Sequence, residues 1–293
     1  MRRRSRIARI SAALASLSVA GSVYAAPPEV EITLDDRVGQ STAPYFTSAF
    51  PKTRGYGASF ILGGRLDLAE NWWVGLRAPL ALMRVEQPAG ALYAEAAWGN
   101  PELSAGLERP WLDRDGWALT LGARLAAGAP LAEHDAAQLA GRALRIADAL
   151  DGFSEPALFT PGVLPVTPGS SLTLTSPRWK LSAALAVPLL FRVSNADLPR
   201  ESNPHSFGLF SVVTLEAQLR VLRWLSVACA PRFTARAIAP VDDDSARVQF
   251  LAAGRADFHL SDHLLLSALL QAPIGGSLGG STAAGGLSLR AEF

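Results

Sequence analysis

The chain has 293 residues, 49% of them hydrophobic and 18% charged, with a formal net charge of +1. The charged share lies below the roughly 25% of an ordinary soluble domain, and past the N-terminus no apolar run approaches the ~20 residues of a spanning helix. Apolar side chains must then fill a soluble core or coat a barrel, and Cys229, the single cysteine, excludes an intramolecular disulfide.

In chain order, Arg2, Arg3, Arg4, Arg6 and Arg9 form a basic start, and residues 10–20 supply a short apolar stretch. Val23-Tyr24-Ala25 then presents a cleavage site, so residues 1–25 read as a signal peptide and 26–293 as the mature barrel domain. That signal holds five Arg and no acids, which leaves 22 basic against 26 acidic groups and a mature net charge of −4. The basic balance belongs to targeting, and no nucleic-acid partner is expected.

The rest repeats one pattern, about ten residues of apolar–polar alternation followed by a turn. Residues 30–35 (Val-Glu-Ile-Thr-Leu-Asp) read as a first strand. Phe60, Leu62, Leu66 and Leu68 share a face, and Arg65 and Asp67 take the other. Trp72, Val74, Leu76, Ala78, Leu80 and Leu82 oppose Arg77 in the same way. Residues 91–107 continue the alternation, with a parity slip at Gly99-Asn100-Pro101 that predicts a β-bulge. Strands follow at 117–127, 171–176 and 179–191. Leu215, Ala217, Leu219 and Val221 then oppose Glu216, Gln218 and Arg220; Leu225, Val227 and Phe233 oppose Ser226 and Arg232. The alternation from Val248 to Leu260, with Arg255 and Asp257 opposite the apolar face, far exceeds the ~5–6 residues of a mean strand. Strands at 263–271 and 284–293 complete the series.

Loop lengths alternate long and short, with short turns at 69–71, 177–178, 223–224 and 261–262 and a moderate connection at 110–116. The scheme predicts an all-β, antiparallel transmembrane barrel of twelve strands; ten is the alternative if 30–35 and 171–176 do not span. The long segment 128–169 contains the only helical period. Ala136, Leu139, Ala140, Ala143, Leu144, Ala147 and Leu150 recur at three- and four-residue steps before Gly152, a C-cap candidate. This helix, 135–150, is expected to lie over the barrel rim, with an inward plug as the alternative. The seven Trp fall near strand ends, as in an interfacial girdle.

At the C-terminus Leu287, Leu289, Ala291 and Phe293 alternate with Ser288, Arg290 and Glu292. This resembles the terminal signal of bacterial outer-membrane β-barrel proteins of porin-like type. Ala291 departs from the bulky residue usual at its position. The resemblance implies an outer-membrane location among lipid and lipopolysaccharide. It also implies recognition of Leu287, Leu289 and Phe293 by the barrel-assembly machinery.

Barrel hydrolases need a Ser beside an activating His, and the adjacent His205 and Ser206 would point to opposite strand faces. Asp242, Asp243 and Asp244 read as a solvated loop or a divalent-cation bridge to lipopolysaccharide. There is no Cys/His metal spacing and no phosphate loop, so neither catalysis nor a cofactor is expected. What remains is the lumen. Parity turns Arg65, Asp67, Arg77, Glu102, Glu108, Arg124, Lys180, Glu216, Arg220, Arg232, Arg255, Asp257, Arg290 and Glu292 inward. They form either a structural ion-pair network or a conduit whose excess Arg favours small polar or anionic solutes. A non-conducting surface-interaction barrel and a soluble periplasmic β-protein are the other readings. Nothing in the sequence sets a solute or an oligomeric state.

Overall fold

The computed structural model describes residues 29–41, 54–68, 71–86, 92–114, 116–132, 139–193, 206–238, 248–276 and 278–293. The expected signal, His205, Asp242 to Asp244 and the first turn of the expected helix (135–138) lie outside the described residues.

Twelve strands run in sequence order around a closed antiparallel barrel. They are β1 (Val30–Ser41), β2 (Arg54–Asp67), β3 (Trp72–Glu86), β4 (Leu92–Trp98 and Glu102–Arg114), β5 (Trp117–Gly128) and β6 (Val163–Thr175). The second half is β7 (Trp179–Ala186 and Leu189–Arg192), β8 (Phe207–Leu222), β9 (Leu225–Cys229 and Arg232–Ile238), β10 (Val248–His259), β11 (Leu264–Gly275) and β12 (Thr282–Glu292). The seam closes by β1–β12 pairing, from Glu31 opposite Glu292 to Ser41 opposite Thr282. It continues past the strand ends through Phe293 N–H to Val30 O at 2.9 Å. Closure leaves no edge unpaired, which is the condition for strands to stand in hydrocarbon.

Alternation decides what faces where. Leu62, Leu76, Leu103, Leu172, Leu215 and Leu289 are exposed around the whole circumference, and the opposite parity carries the charges. A soluble β-protein has the reverse arrangement, with the apolar face packed inside. Five Trp (Trp72, Trp111, Trp117, Trp179 and Trp224) gather at the end with the tight turns, and the Trp117 and Trp179 rings meet edge-on at 4.7 Å. Trp73 departs from the girdle and turns into the lumen, and Trp98 sits at a break in mid-wall.

Three strands are interrupted, each at a proline: β4 at Gly99–Pro101, β7 at Val187–Pro188 and β9 at Ala230–Pro231. Proline removes one ladder donor, and neighbouring groups carry the wall across the gap. Val187 N–H donates to Pro168 O at 2.9 Å, and Leu215 N–H donates to Pro231 O at 3.0 Å. At the β4 break the inward parity switches from odd (Glu95, Ala97) to even (Glu102, Ser104), so the expected slip is present as a full break. Beyond it β4 runs on to Arg114, with a register shift between Pro110 and Leu112. The expected moderate connection at 110–116 is therefore strand and a tight turn.

Candidate functional site

The long segment between β5 and β6 carries two helices, α1 (Leu139–Leu150) and α2 (Pro156–Phe159). The expectation that α1 lies over the rim is corrected. It is inside the barrel, with Ala143, Leu144, Ala147 and Leu150 fully buried and packed in one cluster with Ile61, Ala81, Met83, Ala97 and Ala284 of the wall. Its apolar residues find a partner only there, since the rim offers water. Burying Leu144, Ile146 and Leu150 contributes roughly 1.5–3 kcal/mol each. Two lumen-facing glycines let the helix approach. A Cβ on Gly57 would overlap Ile146 Cγ2, and one on Gly39 would crowd Leu150 Cδ2.

A Schellman cap ends α1. Gly152 sits at φ +65° as expected, its N–H donates to Ala149 O at 3.0 Å, and Phe153 N–H donates to Asp148 O at 2.8 Å. The chain thereby turns down the lumen and delivers Asp151, Ser154 and Glu155 to a polar collar. Gln271 Nε2 donates to Leu150 O at 2.6 Å, and Arg37 Nε lies 3.5 Å from Asp151 Oδ1. Arg77 grips Glu155 with both terminal nitrogens at 3.0 and 3.1 Å, and Arg232 donates to Ser154 Oγ at 2.9 Å. Asn100, freed from the ladder by the β4 break, donates from Nδ2 to Ala157 O (3.1 Å) and Thr160 O (2.8 Å). Its Oδ1 accepts from Ala132 N–H at 3.0 Å, so one buried side chain fastens both legs of the plug.

Charge in the plug is unevenly settled. Burial pushes the Asp148 carboxyl well above the ordinary value, Asp151 and Glu155 add to the rise, and Arg236 offsets part of it. Burial also raises Asp151, although Arg37 and Arg232 oppose it. For Glu155 burial acts upward too, but Arg77, Arg232 and Arg124 more than compensate and hold the carboxyl below its usual range.

Beneath the plug lies a cavity of about 400 Å³. Ser154 and Glu155 form part of its lining, together with Arg65, Arg77, Glu108, Arg124 and Arg232 from the wall. Arg65 is fully engaged. It binds Glu108 through two nitrogens at 2.8 and 3.2 Å, reaches Asp67 Oδ1, and lies 4.7 Å over the Trp73 ring. A second cluster stands across the lumen, where Arg255 holds Glu216 at 3.0 and 3.2 Å and Asp257 at 2.7 Å. Gln218 and Ser267 complete the Asp257 carboxylate, which is fully buried.

Parity thus delivers the expected residues to the lumen side but divides them. Arg65, Arg77, Glu108, Arg124 and Arg232 share the cavity, with Glu102 behind Arg77 at 3.8 Å. Glu216, Arg255 and Asp257 form the second cluster. Lys180, Arg220, Arg290 and Glu292 stand toward the tight-turn end; Arg220 donates to Arg223 O and Arg290 approaches Glu31 at 3.7 Å. Leu287, Leu289 and Phe293 point outward. Sequence reasoning missed Arg37, because β1 extends six residues past Asp35 to Ser41. It also missed Asn100, Asp151 and Glu155, whose inward placement no periodicity announces. A Ser226–His259 hydrogen bond of 3.1 Å was equally hidden, since only β9–β10 pairing brings the two together. Among the described residues no three His, Cys, Asp or Glu side chains converge as metal ligands.

No protein-family model and no curated protein matches the chain. Among solved structures, it is similar to the COG4313 outer membrane channel from Pseudomonas putida F1, with a TM-score of 0.61 and 15% identity over 94% of this chain and 100% of that one. It is also similar to the NanC porin (TM-score 0.50, 8% identity, covering 88% and 98%). The transport unit of the autotransporter AIDA-I from Escherichia coli gives a TM-score of 0.50 at 10% identity, over 98% and 97%. The fold is that of the bacterial outer-membrane β-barrels.

Proposed function

We propose that the protein is an outer-membrane channel for small polar or anionic solutes, closed by the α1–α2 plug in the state described. Residues 1–25 act as its cleaved export signal, and Leu287, Leu289 and Phe293 serve its assembly. The tight turns face the periplasm, and the long loops face outward into lipopolysaccharide. The observation that carries the reading is the cavity under the plug, where Arg65, Arg77, Arg124 and Arg232 stand against Glu108 and Glu155. Among the lining residues cations outnumber acids four to two, and Arg124 makes no ion pair with a described residue, an arrangement that suits an anion path through open space. The likeness in fold to a channel and a porin supports the same reading.

The second reading, a non-conducting barrel acting through its outer loops, is favoured by one observation: α1 packs in the lumen as tightly as a core helix. Planar-bilayer conductance of the full chain and of a variant lacking residues 133–160 decides between them. A channel gives small or rare openings from the full chain and large, anion-selective ones from the deletion. Silence from both, with heat-modifiable gel mobility intact, sinks the channel reading.

A further inference from the structure

We propose that Glu155 is a built-in competitor: its carboxylate occupies the place where a small organic monocarboxylate binds, and such a solute opens the lumen by replacing it on Arg77. The inference rests on the channel reading above and names its solute class.

Four observations support it. Glu155 belongs to the plug and not to the wall, yet it makes the two-nitrogen carboxylate–guanidinium contact that an incoming acid would make, at 3.0 and 3.1 Å. It does so at the boundary of a cavity of about 400 Å³, within the ~300–1,000 Å³ typical of small-molecule sites. Among the described residues Arg124 lines that cavity without a hydrogen bond or close ion pair, its charge reaching Glu155 and Glu102 only through space, whereas Arg65 is saturated by Asp67 and Glu108. The remaining wall mixes Ser170, Ser171 and Thr214 with Trp73, Ala184 and Val212, which suits a body that is partly apolar.

The exchange is also electrostatically natural. Simple withdrawal of Glu155 would leave Arg77 in the lumen with Glu102 at 3.8 Å and the more distant charge of Asp35, and stripping one partner from a buried ion pair is strongly destabilising. Replacing one carboxylate with another leaves the charge of the cavity unchanged. A neutral solute cannot do this, and chloride lacks the two-oxygen fork. Because Ser154 on Arg232 is the residue before Glu155 and Asp151 near Arg37 lies four before it, losing Glu155 from Arg77 loosens the collar beneath α1. The solute shifts the plug only by its differential affinity for the released state.

The test uses the full chain in detergent and in planar bilayers, with benzoate as probe and benzyl alcohol and chloride as controls. Calorimetry should show benzoate binding that tightens about tenfold in Glu155→Gln, because the internal competitor no longer lowers the competent fraction. Arg124→Gln should weaken it by a similar factor while the plug stays seated. In bilayers benzoate should raise wild-type conductance, benzyl alcohol and added chloride should not, and Glu155→Gln should open without benzoate. Unchanged benzoate affinity in a heat-modifiable, folded Glu155→Gln variant overturns the proposal. So does conductance of the plug deletion combined with a wild-type channel that benzoate leaves closed; that result spares the channel reading. Silence from every variant removes the channel reading and the opening step with it.

Discussion

The two halves of the lumen obey different rules. Toward the long loops the barrel is filled by α1 and behaves as the dry core of a soluble protein, with Leu144, Ile146 and Leu150 buried against Ile61, Ala81 and Met83. Toward the tight turns it is polar, and its charges are paired across strands: Arg65 with Glu108, Arg255 with Glu216. One wall, built by one alternation rule, therefore supports both a hydrophobic socket and a polar vestibule. The boundary is the collar, where Arg77, Arg232, Asn100 and Gln271 meet the plug's polar end. The alternation of a barrel strand thus specifies only an inside and an outside. Whether that inside is wet depends on what is inserted into it.

Removing the dry half is the most drastic way to break this contrast. Deleting residues 133–160 should raise single-channel conductance by about an order of magnitude or more, because lumen width at this strand number then approaches that of an unfilled barrel. A finer test places the same charge in each half. Leu144→Asp buries a carboxylate with no partner, which costs several kcal/mol, so the plug should leave its socket and α1 should become sensitive to added protease. Ser171→Asp, in the polar cavity that Arg124 also lines, should cost under about 1 kcal/mol by thermal unfolding. Equal losses from the two substitutions would mean that the halves do not differ.

Asn100→Ala attacks the boundary. It strands Ala157 O, Thr160 O and Ala132 N–H, and unsatisfied buried groups cost about 1–3 kcal/mol each. Faster amide exchange in α2, with the wall unchanged, is the expected signature.

The smallest and most graded effect is on pH. Asp148 has a raised folded value, so the seated plug prefers it protonated, and this preference is lost as pH rises through that value. Glu155 has a lowered value, so its contribution is present above the ordinary carboxylate range and lost as pH falls through the lowered one. Plug seating should peak between these limits, with openings increasing on either side. Asp148→Asn should shrink the rise in open probability on the alkaline side alone, leaving the share that Asp151, also raised by burial, contributes. A flat profile in both proteins would show that neither acid governs seating.

Much of the wall was legible because its signal is local. Arg65 and Asp67 share a face by parity alone, and the break at Gly99–Pro101 declares itself through a proline and a parity slip. The site was legible only in its wall residues. Glu155 sits in an irregular segment between two helices, and nothing in its neighbours distinguishes it from a solvated loop acid. Asn100 looked like part of a bulge, and became a clasp because α2 lies opposite it. Ser226 and His259 are 33 residues apart and meet through strand register.

Taken alone, the sequence determined the all-β barrel class, a count of twelve strands or ten, and the inward charges of the regularly alternating strands such as Arg65, Arg77 and Arg255, because a two-residue period and the turn signals between strands are properties of short segments. The tertiary structure alone decided that α1 is a plug and not a lid, and that Glu155 sits on Arg77. An apolar helix stripe records that something must cover it but not what, and the partner here is assembled from β1, β2, β3, β4 and β12, which are joined only once the barrel has closed.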